Sequence, residues 1–369
     1  VTGGMTEKEQ LVFSLIRKNP YISQQELAEA VGLSRPSVAN IVSGLTRKGH
    51  ILGRAYILNE SKEIVCIGGA NLDRKFYLKD QAQSGTSNPV KSVRSVGGVA
   101  RNIAENLGRL GMEVTLITAC GSDSDWAFIE ESSSLYMNLE KAAKIRGMST
   151  GSYTAVLDPN GELVIALADM EVYELLTPGL LLKQELLLSR AKCIIADLNC
   201  PKETLQFLCH FAKKHERPLV LIPVSSPKMK HLPDDLNGIT WLITNRDESE
   251  NYFKSKITNR TEWCQALEKW LSLGILNAII TDGKNGAMVG NKTEGIFHIP
   301  SIETMEIVDV TGAGDAFSAA VIYSWLEGNN LRDIAKAGTV NAVKTLRSAY
   351  TVRQDLSPAQ LRKDMEEFE

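Results

Sequence analysis

The sequence predicts an α/β fold, a mostly parallel sheet covered on both faces by helices, with a small helical domain in front of it. Six apolar runs of strand length recur without polar alternation: Ile64–Ile67, Val114–Ala119, Cys193–Ala196, Leu219–Ile222, Trp241–Ile243 and Ala278–Ile280. Strands buried on both faces read this way, whereas a half-exposed sheet alternates. Helix-like stretches separate most of them, among them Val99–Leu110, Glu203–Lys214 and Thr261–Leu273. That is the rhythm of strand–helix–strand crossovers. The chain is therefore expected to divide into a domain over 1–60 and a larger one over 61–369.

Composition narrows the function classes. The 369 residues are 43% hydrophobic and 23% charged, with a formal net charge of −3, an ordinary globular balance. Such a charge gives no bulk attraction to nucleic acid or membrane, so any basic patch must be local. No apolar run approaches membrane-spanning length, and the polar start shows no signal-peptide pattern. A cytoplasmic protein without a membrane partner is expected. The six cysteines form no C-x-x-C pair and the five histidines are scattered. Buried free thiols are expected rather than disulfides or a zinc site.

In the small domain, Thr6–Lys18 has helical spacing, with Leu11 and Leu15 inward, and stops at Asn19-Pro20. Ser23 reads as an N-cap with Glu26 three residues on, a capping box ahead of Leu27, Ala28 and Val31. Gly32 makes a turn, and Ser34 starts a third helix running to Lys48, with Val38, Ile41, Val42 and Leu45 on its apolar face. Gly49–Leu58 reads as a short hairpin. Three helices, a tight turn before the third and a small wing resemble the winged helix-turn-helix domains of bacterial regulators. That resemblance implies a recognition helix presenting Arg35, Ser37 and Asn40 to a major groove. Arg47, Lys48 and Arg54 would contact phosphates. A helical oligomerisation module is the alternative reading.

In the larger domain two places break the strand–helix rhythm. Phe76–Lys79 and Val90–Ser95 are shorter and more polar, with a Ser/Gly/Thr/Asn/Pro stretch between them. Ser152–Asp158 and Glu162–Ala168 flank Pro159-Asn160-Gly161, which reads as a hairpin. Together they predict a small β lid, from about 73–96 and 151–168, over the sheet edge. Its exposed strands offer an edge that a second subunit could cover, and winged-helix domains commonly act as dimers on two half-sites. A homodimer is expected.

The chemistry is concentrated in Asp309-Val-Thr-Gly-Ala-Gly-Asp315, which follows the extended-looking segment Thr304–Val310 and opens the apolar run Ala316–Leu326. A Gly-Ala-Gly turn feeding a buried helix exposes backbone N–H groups at the positive end of the helix dipole, a natural seat for phosphate. Asp315, in the first turn, could take a proton from a hydroxyl brought against that phosphate. A tight glycine turn with an acidic helix start is the plainer alternative.

Four further motifs accompany it: Gly68-Gly69-Ala-Asn71-Leu-Asp73, Gly97-Gly98-Val-Ala-Arg-Asn102, Asn245-Arg-Asp-Glu248 and Thr281-Asp-Gly283-Lys-Asn-Gly286. In this order, each at a strand end, they resemble the motifs of the ribokinase-like sugar and nucleoside kinases, the PfkB group. The resemblance spans roughly Glu63 to the C-terminus and implies a ribokinase-like three-layer sheet with a β lid. It also implies Asp315 as catalytic base, and the amides of Gly312, Ala313 and Gly314 as the hole for the transferring phosphoryl group. Asn71, Asp73, Gly97, Gly98 and Asn102 would meet the sugar. Asn245, Thr281, Gly283, Gly286, Thr311 and Asn341 would meet ATP, with Glu248 ordering the water around Mg2+. A monovalent cation such as K+ near Asp309 is a further implication. No G-x-x-x-x-G-K-[ST] occurs, and Phe317 stands where a dinucleotide fingerprint needs its third glycine.

The acceptor is narrowed by Ser87-Asn88-Pro89, Asp158–Met170 and Ile195–Asn199, which with the Gly97–Asn102 helix are similar to bacterial pseudouridine kinases. That similarity implies transfer from ATP to the 5′-hydroxyl of pseudouridine. Asn88 would read the uracil edge, Asn199 would join the ribose contacts, and Ser87 and Asp169 would lie at the rim. Ile222-Pro223-Val224 departs from relatives, which carry an acidic or polar residue before the proline. The N-terminal domain is a second departure. A kinase of another nucleoside or ribose-like sugar, and a regulator sensing ligand through a kinase fold, are the alternatives.

Overall fold

The computed structural model describes residues 5–48, 50–51, 62–304 and 307–368. Two compact units form, Val1–Glu60 and Ser61–Glu369.

In the first unit, α1 (Glu7–Lys18), α2 (Gln24–Val31) and α3 (Arg35–Arg47) each start on a hydroxyl cap, from Thr6, Ser23 and Ser34. Glu9 and Glu26 reach back to close capping boxes, satisfying two otherwise unpaired donors at each start. Gly32 takes φ 65°, which lets the chain turn directly from α2 toward α3. Val12, Leu27, Ala28, Val38, Val42 and Leu45 form the core. The hairpin expected over 49–58 lies largely outside the described residues.

The second unit runs β1 (Ile64–Ile67), β2 (Asn71–Leu78), β3 (Val90–Gly97), α4 (Val99–Arg109), β4 (Val114–Ile117), β5 (Ala119–Cys120) and α5 (Ser124–Ser133). It continues with β6 (Ala143–Lys144), β7 (Ser152–Leu157), β8 (Leu163–Asp169), α6 (Pro178–Leu182), α7 (Glu185–Arg190), β9 (Cys193–Asp197), α8 (Lys202–His215) and β10 (Leu219–Ile222). Then follow β11 (Trp241–Asn245), α9 (Arg246–Phe253), α10 (Arg260–Ser272), β12 (Asn277–Thr281), β13 (Ala287–Asn291) and β14 (Gly295–Ile299). Helices α11 (Ala313–Leu326), α12 (Leu331–Leu346) and α13 (Pro358–Glu366) close the chain.

The main sheet has the order β14-β13-β12-β11-β10-β9-β1-β4, parallel from β4 to β12 and antiparallel at β13 and β14. Successive residues of its strands feed opposite cores. Val65, Ile67, Ile194 and Leu221 join α8 and α10 on one face, where Leu208 and Trp270 lie. Ile64, Cys66, Ile195 and Val220 join α4, α11 and α12 on the other, against Ile103, Val321 and Ile334. Both faces are covered, which is why the strands read as unbroken apolar runs.

Some expectations needed revision. Strands β13 and β14 were not anticipated, and the run Val114–Ala119 ends as a main-sheet strand at Ile117. No strand forms among the described residues of 304–310; Val308 instead donates to the Leu346 carbonyl at 2.8 Å.

The lid is a four-stranded sheet of order β3-β2-β7-β8. Its first strand begins at Asn71 rather than near Phe76, because the chain breaks out of β1 at Gly68, whose φ of 146° is accessible to glycine. Asn71 and Asp73 are thus lid-strand residues. Leu163, Val164, Ile165 and Leu167 of β8 are exposed. Five of the six cysteines are buried, and all six are free.

Gly108, inside α4, tests the packing. Alanine would gain about 1 kcal/mol of helix propensity, but its Cβ would collide with the Tyr136 carbonyl. A backbone carbonyl cannot swing aside, and such overpacking costs about 1–3 kcal/mol. Gly108→Ala is therefore expected to lower the urea midpoint of the second unit; a raised midpoint would contradict this packing.

Candidate active site

Asp197, the last residue of β9, is fully buried and gathers three loops. Its carboxylate accepts from the Gly69 and Ala100 N–H groups, each at 2.9 Å, and from the Asn199 N–H at 2.9 Å and side-chain amide at 3.3 Å. The turn after β1, the start of α4 and the turn after β9 are thereby fixed to one another. Gly69 and Gly98 permit the crowding: a Cβ on Gly98 would sit 2.7 Å from the Ala70 Cα, and one on Gly69 2.6 Å from the Asn199 amide.

Around this anchor the expected acceptor residues converge. The Asn71 amide donates to Asp73 at 2.6 Å, and a Cβ on Gly97 would strike the Asp73 carboxylate. Asn102, in the first turn of α4, donates its amide to Asp315 at 2.8 Å. Burial raises Asp73 to about 6, opposed by Lys75, Asn71 and Arg101. Burial likewise raises Asp315 to about 7; the Asn102 bond and Arg101 pull it down while Asp197 and Asp73 push it up. A carboxyl poised there can exchange a proton near neutrality.

Helix α11 starts with no side-chain cap, at Gly312 with φ 83°. A Cβ on Gly312 would hit the Thr351 carbonyl, whereas one on Gly314 would meet open space. The turn Gly312-Ala313-Gly314 therefore rests on the loop after α12 and faces outward, with the dipole of a 14-residue helix behind it. Thr311 is exposed and donates to Asp309 through its N–H at 2.9 Å and its hydroxyl at 2.7 Å. The other Asp309 oxygen pairs with Lys75 of lid strand β2 at 2.8 Å. Burial opposes ionisation of Asp309, but the Lys75 and Thr311 bonds prevail and hold it at about 2. Lys75 already neutralises the aspartate beside which a monovalent cation was expected. A cleft of about 520 Å³ opens between the lid and this loop, lined by Asp73, Lys75, Arg101, Asp309 and Thr311 among others.

Among the residues expected to meet ATP and magnesium, Asn245 and Glu248 close a capping box at the start of α9, at 2.9 and 2.8 Å. Burial raises Glu248 to about 7. Thr281 ends β12 and donates to the Thr244 carbonyl at 3.3 Å. Gly283 and Gly286 take φ 47° and 91°, and Arg246 pairs with Asp282, just before Gly283, at 2.9 Å. Among the described residues no three His, Cys, Asp or Glu side chains converge on a metal site.

Several expected residues lie elsewhere or are otherwise engaged. Asn341 does not line a pocket: it is fully buried, donating to the Ala316 carbonyl at 2.9 Å and to Asn106 at 3.2 Å while accepting from Arg353 at 2.9 Å. It braces α11 from behind. The Asn88 side chain folds onto its own loop, bonding Gln83 twice at 2.8 Å and the Thr86 carbonyl at 3.1 Å. Ser87 is exposed on the same loop, and Asp169 is exposed at the end of β8 opposite Ser152. In the first unit Arg35, Ser37, Asn40 and Arg47 are exposed, with Ser37 bonded to Ser34 at 2.8 Å. Lys48 is tied to Glu9 at 2.8 Å, so it is not poised for phosphate alone. Arg54 lies outside the described residues.

Sequence reasoning missed Asp197, Lys75, Arg101 and Glu105. An acid closing the apolar run Cys193–Ala196, and an arginine and glutamate within a helix buried on nearly all sides, were the available signals.

The chain is similar to known proteins in both units. Residues 61–356 match the pfkB family carbohydrate kinase profile, and residues 5–51 a winged helix-turn-helix DNA-binding profile. The chain is 31% identical to a protein described as an uncharacterized sugar kinase, YeiI of Escherichia coli, over 90% of this chain and 91% of that one. It is 29% identical to the pseudouridine kinase of E. coli, over 82% and 96% respectively. Among solved structures, a carbohydrate kinase from Agrobacterium tumefaciens superposes with TM-score 0.71 at 32% identity, covering 83% of this chain and 97% of that one. Arabidopsis thaliana ribokinase complexed with ribose and ATP superposes with TM-score 0.74 at 17% identity, covering 83% and 99%, a likeness of fold.

The raised carboxyls have a consequence for stability. Asp315 and Glu248 at about 7 and Asp73 at about 6 bind more protons folded than unfolded. Stability contributed by these groups therefore falls as pH rises from about 4 to about 7. Asp309, depressed to about 2, acts oppositely, its contribution present above its unfolded pKa and lost as pH falls toward 2. Asp315→Asn, which mimics the protonated acid, is expected to gain stability over the parent at about pH 8 and to lose that advantage near pH 5. Urea unfolding at both pH values checks this; a constant difference would contradict the burial of a titrating carboxyl.

Proposed function

The chain belongs to the pfkB family of carbohydrate kinases, and from that premise we propose that it transfers the γ-phosphoryl group of ATP to the 5′-hydroxyl of pseudouridine. The observation that carries the reading is the meeting of Asp315, held by Asn102, with the uncapped turn Gly312–Gly314 at the start of one buried helix. In the proposed reaction Asp315 removes the hydroxyl proton, the alcohol oxygen bonds to the γ-phosphorus, and the bond to the bridging β–γ oxygen breaks to leave ADP. Amides of the turn bear the charge on the transferring group, each such donor being worth ~10²–10³ in rate. Glu248 would hold magnesium through ordered water, and the ion would neutralise charge on the phosphates. Asn71 and Asp73 bind the ribose hydroxyls, and Asn199 lies on the turn beside them.

Similarity to the E. coli pseudouridine kinase over 96% of that enzyme supports this acceptor. The comparable similarity to YeiI favours a second reading, another nucleoside or ribose-like sugar. On the pseudouridine reading Asn88 must leave its own loop to meet uracil, so its bonds to Gln83 and Thr86 must break.

ADP release with ATP and magnesium, measured over pseudouridine, uridine, other nucleosides and ribose, tests the acceptor. Turnover on pseudouridine is expected, falling by ~10²–10⁴ in Asp315→Asn. Turnover on another acceptor alone would move the assignment there. Ligand binding without turnover would favour a sensor.

For the first unit we propose DNA binding as a dimer, with Arg35, Ser37 and Asn40 toward the bases. Duplex binding that weakens steeply with salt is expected. Arg35→Ala should reduce it, and free protein should scatter light at twice the 40.5 kDa chain mass. A monomer without affinity for duplex would leave the helical module as an adaptor.

A further inference from the structure

Behind the proposed base lies a chain of charge that the phosphoryl-transfer scheme does not use. Arg101 is 1% exposed, Asn102 4% and Glu105 4%. Burying an arginine and a glutamate costs several kcal/mol per ion unless every donor and acceptor is met, and here almost all are. Arg101 donates from Nε to the Ser133 hydroxyl at 3.0 Å, from Nη1 to the Asn102 Oδ1 at 3.0 Å, and from Nη2 to Glu105. The second Glu105 oxygen accepts from Arg109 Nε at 2.8 Å. Arg109 in turn donates to the Gln354 carbonyl at 3.0 Å and lies over the Tyr136 ring.

The direction of each bond matters. An arginine has donors only, so the Asn102 atom facing Arg101 must be its oxygen. The amide nitrogen is then left to face Asp315, which it reaches at 2.8 Å. Without the guanidinium the amide could turn over and set its oxygen against the carboxylate. Asp315 is faced by Asn102 and Arg101 from α4, by Asp197 from β9 and by Asp73 from β2. Arg101 is the cationic group among these and opposes the two aspartates.

We infer that Arg101, clamped by Glu105, is a positioning residue that sets the Asn102 amide and through it the orientation and charge of Asp315. The inference rests on the reading of Asp315 as the base. Asn102 holds one oxygen of Asp315, leaving the other to face an acceptor hydroxyl.

The test has an arm that needs no turnover. The Asp315 carboxyl carbon, assigned by its disappearance in Asp315→Asn, is titrated by NMR in the full chain. In Arg101→Met its midpoint is expected to rise by ~0.5 unit or more, since a favourable charge and a correctly aimed donor are lost together. An unchanged midpoint would overturn the inference. In turnover, kcat is expected to fall ~10–100-fold with the KM for ATP nearly unchanged, and the acid limb of the rate profile to move to higher pH. Equal losses in Arg101→Met made alone and in the Asp315→Asn background would indicate a merely structural role and overturn it as well. Since Arg101→Met leaves Glu105 short of a partner, Arg101→Met with Glu105→Leu, which removes both charges, is the companion variant if the single one fails to fold. Absence of turnover on every acceptor, with the titration shift present, would retire the kinase reading and leave the positioning of Asp315 standing.

Discussion

A single buried carboxylate supports the rest of the site. Asp197 receives four hydrogen bonds from three chain segments, and each segment carries a residue of the proposed acceptor site: Asn71 beyond the first turn, Asn102 on α4 and Asn199 beyond the third. A buried acid is costly without partners, and backbone N–H groups are donors that cannot rotate away. The cost is therefore tolerable only while the three turns hold their relative positions. Burial raises Asp197 above the ordinary carboxylate range, while the bonds from Gly69, Asn199 and Ala100 oppose that shift. The glycines of the region follow from the same constraint: a side chain on Gly68 would enter the carboxylate, one on Gly69 the Asn199 amide, and one on Gly98 the neighbouring backbone.

A second buried polar chain supports the opposite side. Asp364 on α13 pairs with Arg353 at 2.7 Å, Arg353 reaches Asn341, and Asn341 holds the Ala316 carbonyl one residue beyond Asp315. The first turn of α11 is thus fixed through Asn102 of α4 and through Asn341 of α12. Rigid support of this kind would keep the proposed base and anion hole in register while a group passes between them.

Much of this was legible in the sequence, for identifiable reasons. The doubly buried strands announced themselves because both faces of the sheet are covered, and the capping box at Ser23 because its partner Glu26 sits three residues away. Asp315 and its glycines were readable because they are adjacent in the chain. What escaped were interactions across long separations. Asp197 meets residues about a hundred positions away, Lys75 meets Asp309 across 234, and Asn341 meets Asn106 across 235. Local pattern carries no trace of such pairings. Asn341 was accordingly assigned to a pocket when its amide was committed to the core. Strands β13 and β14 were missed because they are short, with Gly290 inside β13 and Gly295 opening β14.

The distribution of sulfur has a practical corollary. Cys66, Cys120, Cys193, Cys200 and Cys209 are buried, and burial lifts all five thiols away from ionisation, three of them to about 12. The thiolate is the reactive form, so the native fold keeps its own sulfur chemically silent, with partly exposed Cys264 on α10 as the exception. Once that position is replaced, a cysteine introduced on the lid would stand alone as an address for a fluorophore or spin label. The position of the lid over the cleft, with and without nucleotide, could then be measured without rebuilding the core.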